Sequence, residues 1–190
     1  MKPTSVQNKT LVFLDVETTG LDPTRHEIIE FACVFPHEGR VSFKMHPEHI
    51  ETADPKALEV NGYSPERWSG YQTLTQKQGA EVIAASLRDC VLAGYNVSFD
   101  LDFINATLAR HDVKVKLDYH KVDVVALAYE HLMGLGLTSL SLKNVCHFLR
   151  VPPEPAQHEA LNGALACRAV YRKLRRAGWL RRLYWRLRNR

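Results

Sequence analysis

The chain predicts an α/β fold built on a mixed β-sheet. Three observations carry that expectation. The first is an opening of three short apolar segments, LVFLDV (11–16), IIEFACVF (28–35) and RVSFKMH (40–46), the last two joined by the tight turn PHEG. Such a run reads as an antiparallel meander. The second is that later apolar segments alternate with stretches of helical spacing, the pattern of strands crossed by helices. The third is length: 190 residues suffice for one domain with a sizeable core.

The later elements follow in order. Residues 47–78 are rich in Pro, Gly and polar groups and read as an irregular surface segment with short helices. EVIAASLRDC (81–90) has helical spacing, and VLAGYN (91–96) reads as a buried strand. FDLDFINATLARH (99–111) reads as a helix with Phe99, Phe103, Ile104 and Leu108 on one side. KLDYHKVDV (116–124) reads as a strand feeding the helix VVALAYEHL (124–132). SLSLKNVCHFL (139–149) reads as a helix with Ser139 or Ser141 as N-cap, and a last helix runs from about Glu159 toward Arg176.

Composition narrows the class. A hydrophobic fraction of 45% with 24% charged residues is that of a soluble globular protein. No apolar run approaches the ~20 residues of a membrane span, and the start MKPTSVQNKT lacks the apolar core of a secretory signal. Cys33, Cys90, Cys146 and Cys167 are scattered with no CxxC pair, which points to reduced thiols, a cytoplasmic setting and no zinc site. The net charge of +4 is unevenly spread. Arg172 to Arg190 holds nine Lys or Arg and no acid, leaving an acidic body that can hold cations and a basic tail that can meet phosphate.

Three acids and a histidine stand out. Asp15 and Glu17 lie two apart in a strand, so both point to one face. Paired carboxylates on a buried strand repel and lose hydration unless a cation neutralises them, and Mg²⁺ or Mn²⁺ suits oxygen ligands. The plain alternative is a strand end where both acids reach solvent. Asp100 follows the apolar AGYNVSF, at a strand-to-helix junction where an acid also serves as an ordinary helix cap. Asn96, at the strand end, can hold the turn by hydrogen bonds, and Asp102 reads as an exposed first-turn acid. His158 precedes the last helix. Beside a metal site it becomes a proton acceptor; without one it is a surface residue.

Together these segments resemble the DEDDh 3′–5′ exonucleases, the family of the proofreading epsilon subunit of bacterial replicative polymerases. FLDVETTGLDP (13–23) matches the first family motif and GYNVSFDLDFI (94–104) the second, with N-x-x-F-D intact. HEALNGALACRAVY (158–171) matches the third in part, and VDVVALAYEHL with SLKNVC resembles the stretch between them. The resemblance spans about residues 10–174. It implies a ribonuclease H-like fold, a five-stranded mixed sheet flanked by helices. It implies a two-metal Mg²⁺ or Mn²⁺ site in which Asp15, Glu17 and Asp100 are ligands and His158 is the general base. It also implies that Thr18, Thr19, Gly20 and Leu21 hold the 3′-terminal nucleotide, and that Asn96 and Phe99 shape the second motif. The implied substrate is DNA or RNA with a free 3′ end.

One position departs from the pattern. The family's last acid falls five residues after the histidine, and here that residue is Gly163. Glycine offers no ligand and costs about 1 kcal/mol relative to alanine inside a helix. Three readings follow: a relative with weakened or lost catalysis, which includes a non-catalytic nucleic-acid-binding or polymerase-associated module; an inactivated version that traps substrate; or replacement by a nearby acid. Glu159, four residues earlier on the same helical face, is the acid the sequence offers, displaced by about 6 Å along the axis.

The sequence divides into an exonuclease-like domain over 1–176 and a basic C-terminal extension over 177–190. RRAGWLRRLYWRLRNR interleaves arginines with Trp179, Tyr184 and Trp185, a composition suited to phosphate binding and base stacking. Leu180, Leu183, Tyr184 and Leu187 also fall at helical spacing. That fits a helix docking on a polymerase, another protein or an anionic membrane, or simply covering the core.

Overall fold

The computed structural model describes residues 9–37, 39–70, 72–155, 157–176, 178, 184, 185 and 187. A single five-stranded sheet forms its centre, in the order β3-β2-β1-β4-β5. The strands are β1 (Thr10–Thr18), β2 (Ile28–Val34), β3 (Arg40–Lys44), β4 (Cys90–Gly94) and β5 (Lys121–Asp123). Strand β1 pairs antiparallel with β2 on one side and parallel with β4 on the other. The expected meander and the mixed sheet are both present.

Among the described residues, six named α-helices cover the sheet: α1 (Pro55–Asn61), α2 (Gln76–Leu87), α3 (Val97–Arg110), α4 (Val124–Leu132), α5 (Leu142–Leu149) and α6 (Ala160–Arg175). The two-residue period of β1 sorts them onto opposite faces. Val12, Leu14 and Val16 pack with Ile83 and Leu87 of α2 and Phe103 and Ile104 of α3. Phe13, on the other face, packs with Ala128 of α4, Val145 of α5 and Val170 of α6. Ala32 and Val34 of β2 meet Ala160 and Ala164, small residues that let α6 lie close to the sheet.

Several boundaries differ from the sequence reading, each for a local reason. Helix α2 begins five residues earlier than 81, because Thr75 and Gln78 form a reciprocal capping box. Gln76 is then buried, with Nε2 donating to the Ile28 carbonyl at 2.8 Å and the His46 carbonyl at 2.9 Å. The irregular segment contains a regular helix, α1, capped by Asp54 and ended by Gly62 at φ 63°. Strand β5 shrinks to three residues because Asp123 caps α4. Ser141 rather than Ser139 caps α5.

Cys33, Cys90, Cys146 and Cys167 are buried free thiols. Among the described residues no helix is long and apolar enough to cross a membrane. Most of the basic extension, including Trp179, Leu180 and Leu183, lies outside the described residues. Trp185 is described and packs in the same cluster as Phe13 and Leu174. Its ring therefore covers core and is not open for base stacking, whereas Tyr184 and Leu187 are exposed.

Gln76→Leu should destabilise the protein by about 1–3 kcal/mol, because two carbonyls at the strand ends would lose their donor. Urea unfolding measures this. An unchanged midpoint would show that water satisfies both carbonyls.

Candidate active site

The site forms where β1 outlasts its parallel neighbour. Register between the two strands ends at Phe13 opposite Ala93, and β4 ends at Gly94. The chain then turns through Asn96, held at φ 66°, ψ 46°, into α3. An asparagine tolerates this left-handed conformation better than most residues. Asn96 makes no side-chain cap; its backbone N–H instead donates to Asp123 Oδ1 at 3.0 Å.

Beyond Phe13, Asp100 takes the place of a strand neighbour for β1. Its Oδ1 accepts from the Val16 N–H at 3.1 Å. Asp100 sits inside the first turn of α3, so the ordinary helix-cap reading does not describe it. Its burial is nearly complete at 3% exposure. That burial raises its pKa, against the lowering effect of the backbone donors.

Asp15 and Glu17 project from the same face of β1, with Glu17 opposite Glu30 of β2. Burial raises the pKa of Asp15, and the neighbouring charges of Asp100, Glu17 and Glu154 add to the effect. Burial pushes Glu17 up to about 8, helped by Glu30 and Glu154. The solvent-facing reading of this pair is therefore not what the structure shows. Burial also pushes Glu30 up to about 6. Its carboxylate accepts from the Ala160 N–H and so holds the positive end of α6.

These side chains open onto one cavity of about 430 Å³, lined by Asp15, Glu17, Thr18, Leu21, Asn96, Phe99, Asp100 and His158. His158 is held at the rim through its backbone N–H, which donates to the Val60 carbonyl at 3.1 Å. Leu21 is 76% exposed at the mouth. Thr19 and Gly20 do not line the cavity. They shape the turn: Thr19 Oγ1 accepts from the Glu27 N–H at 2.9 Å, and the His26 ring lies where a Cβ on Gly20 would fall.

The sequence reading missed other lining residues. Lys56 and Asn61 come from α1, and Asn61 Nδ2 ties that helix to the Thr18 carbonyl at 3.0 Å. Glu154 comes from the connection between α5 and α6. The available signal was PPEP, a lone acid framed by prolines just upstream of His158. Glu159 does not line the cavity; its Oε2 accepts from Asn162 Nδ2 at 2.9 Å. Helical spacing does not aim its side chain, because Glu159 precedes the first helical residue in an extended conformation, at φ −141°, ψ 129°.

The raised Glu17 pKa has a measurable consequence. Folded protein holds this proton up to about pH 8, whereas the unfolded chain releases it near 4.5. Stability should therefore fall as pH rises between those values in the presence of a chelator, by up to on the order of 5 kcal/mol from this group, at about 1.4 kcal/mol per pH unit. Glu17→Gln should flatten the decline in a melting-temperature series. Identical slopes in both proteins would show that Glu17 ionises normally.

Comparison with known proteins agrees with this architecture. The family model described as Exonuclease matches residues 12–171. A PolC-type DNA polymerase III of Mycoplasma genitalium is 27% identical over 151 residues, covering 78% of this chain and 10% of that protein. The chain thus spans about a tenth of such polymerases. A ribonuclease T of Marinobacter nauticus is 28% identical over 162 residues, covering 74% of this chain and 70% of that protein. Among solved structures, E. coli exonuclease I bound to a dT13 oligonucleotide superposes with a TM-score of 0.74 at 19% identity, covering 94% of this chain and 43% of that one. A zinc-bound E. coli exonuclease I complex with single-stranded DNA gives 0.71 at 19% identity, covering 93% and 42%. With a model match over most of its length, and with the five-stranded mixed sheet its motifs implied, the chain belongs to the exonuclease family.

Proposed function

We propose that the chain is a metal-dependent exonuclease that removes nucleotides from the 3′ end of single-stranded nucleic acid. The observation that carries this reading is convergence. Asp15 and Glu17 from β1, Asp100 from α3 and His158 from the approach to α6 line one cavity. The donor set fits a hard divalent cation, because carboxylates supply it and, among the described residues, no thiol or thioether lines the cavity. Mg²⁺ or Mn²⁺ held there would neutralise the scissile phosphate and make the attacking water more acidic.

The chain's own residues supply the rest. Asp15, Glu17 and Asp100 would hold the cation, and its charge would offset the burial, and at Asp15 and Glu17 also the repulsion, that raises their pKa values. His158, at the open rim, accepts a proton from the attacking water. Leu21 and Phe99 offer apolar surface to the terminal base and sugar, and the exposed Lys56 offers a charge to a neighbouring phosphate. The family match and the ribonuclease T relative support hydrolysis of a 3′ end. The PolC-type relatives support a setting beside a polymerase, in which the same step would edit its product. Gly163 favours the alternative reading, a nucleic-acid-binding module that has lost hydrolysis.

The test uses DNA and RNA oligonucleotides labelled at the 5′ end, with Mg²⁺ or Mn²⁺. Stepwise shortening from the 3′ end is the expected result. Asp15→Ala should lower the rate by roughly 10²–10³ or more, the usual cost of one well-placed electrostatic group. Metal-dependent binding with no shortening of either polymer would establish the non-catalytic module instead.

A further inference from the structure

We infer that Glu154 is the missing ligand: its carboxylate, delivered by the connection before α6, takes the metal-binding place that Gly163 leaves without a side chain. This rests on the metal-site reading above and extends it to a residue outside the family pattern.

The geometry around Gly163 is the main argument. A Cβ built on this residue would overlap Asp15 Oδ2 and lie 2.7 Å from Glu154 Oε1. Both separations are far below an ordinary contact. The space beside the glycine is therefore already taken, by one carboxylate from β1 and another from the connection. The two oxygens flank the same small volume. Gly163 is buried on the face of α6 that meets β1 and β2, so Glu154 Oε1 stands where an acid at 163 would begin.

The connection explains how the glutamate gets there. Glu154 lies between Pro153 and Pro155, after Pro152. Proline fixes its own φ and biases the preceding residue toward extended conformations. Three prolines in four residues limit the conformational freedom lost in placing the acid. Both ends of the connection are tied. Val151 N–H donates to the Cys146 carbonyl at 2.8 Å, and His158 N–H donates to the Val60 carbonyl at 3.1 Å. Glutamate has one more methylene than aspartate, which suits a ligand arriving from further away.

Electrostatics argue in the same direction. The charge of Glu154 bears on both Asp15 and Glu17. A further acid beside Asp15 and the buried Glu17 and Asp100 is unfavourable by itself, and a shared cation would remove the penalty. Glu159 is held by Asn162 and does not compete for the position.

Mn²⁺ titration calorimetry tests the assignment, with circular dichroism confirming that each variant is folded. Glu154→Gln should weaken Mn²⁺ binding by about tenfold or more, since even partners one shell removed from a metal commonly contribute about 10–100-fold. Glu159→Gln should bind as the unaltered chain does. The double variant Glu154→Ala with Gly163→Asp should recover part of the binding lost in Glu154→Ala, because it returns the acid to the helix and clears the glutamate, while the Asp15 carboxylate must still shift away from the new Cβ. Gly163→Asp alone should gain little, since both acids then contend for one position.

Full Mn²⁺ affinity in Glu154→Gln, with affinity lost in Asp15→Ala, would overturn the role of Glu154 while leaving the metal site intact. Absence of Mn²⁺ binding by the unaltered chain would overturn both the inference and the metal-site reading.

Discussion

The burial of neighbouring carboxylates, with the repulsion among them, is the constraint around which this molecule is arranged. Asp15, Glu17, Asp100 and Glu154 bear on one another in space that excludes much of the solvent. Such a cluster survives only where the surrounding scaffold is rigid enough to impose it. Here the scaffold is the central strand, flanked on one side by an antiparallel partner and on the other by a parallel one that stops short. The early end of β4 leaves room beside β1, and Asp100 uses it while satisfying the Val16 N–H. Stability is thus reduced locally in order to hold a charge pattern suited to a cation, as is common at functional sites.

The helices serve the same arrangement. The Glu30 carboxylate, opposite Glu17, accepts from the first N–H of α6 and fixes where that helix starts. His158 lies two residues before that point, and its own N–H is held by Val60 of α1. The histidine is therefore positioned by two neighbouring elements, although its ring stands at the open rim. Asn61 and Trp68 tie the segment around α1 to β1 and β2 through the Thr18 and Ile29 carbonyls. A stretch without strong periodicity is in this way made part of the cavity wall.

Residues whose placement depends on local periodicity were legible in the sequence. The alternation of LVFLDVE puts Asp15 and Glu17 on one face, and the strand-to-helix junction after AGYN puts Asp100 near the same end of the sheet. Residues placed by the path of an irregular connection were not legible in this way. Glu154 is set by three prolines and two anchoring hydrogen bonds, none of which has a period. Glu159 stands out in the sequence because helical spacing relates it to Gly163, yet its backbone is still extended there and Asn162 takes its carboxylate. Trp185 shows a similar limit. An aromatic residue among arginines suggests an exposed binding strip, but packing with Phe13 and Leu174 decides its position.

The crowding beside Gly163 also bears on how such a chain can change over generations. Positions 15, 154 and 163 share one small volume, so a substitution at any of them is judged against the occupants of the other two. Their effects are expected to be non-additive. A side chain acquired at 163 while a glutamate remains at 154 meets an occupied space, and, with Glu154 assigned as a ligand, a glutamate lost from 154 while glycine remains would leave the site one acid short. Passage between the two arrangements must go through one of these compromised intermediates. The glycine is thus tied to its surroundings more firmly than its lack of a side chain suggests, and drift at this position is restrained by Glu154 nearby and by Asp15, distant in the chain.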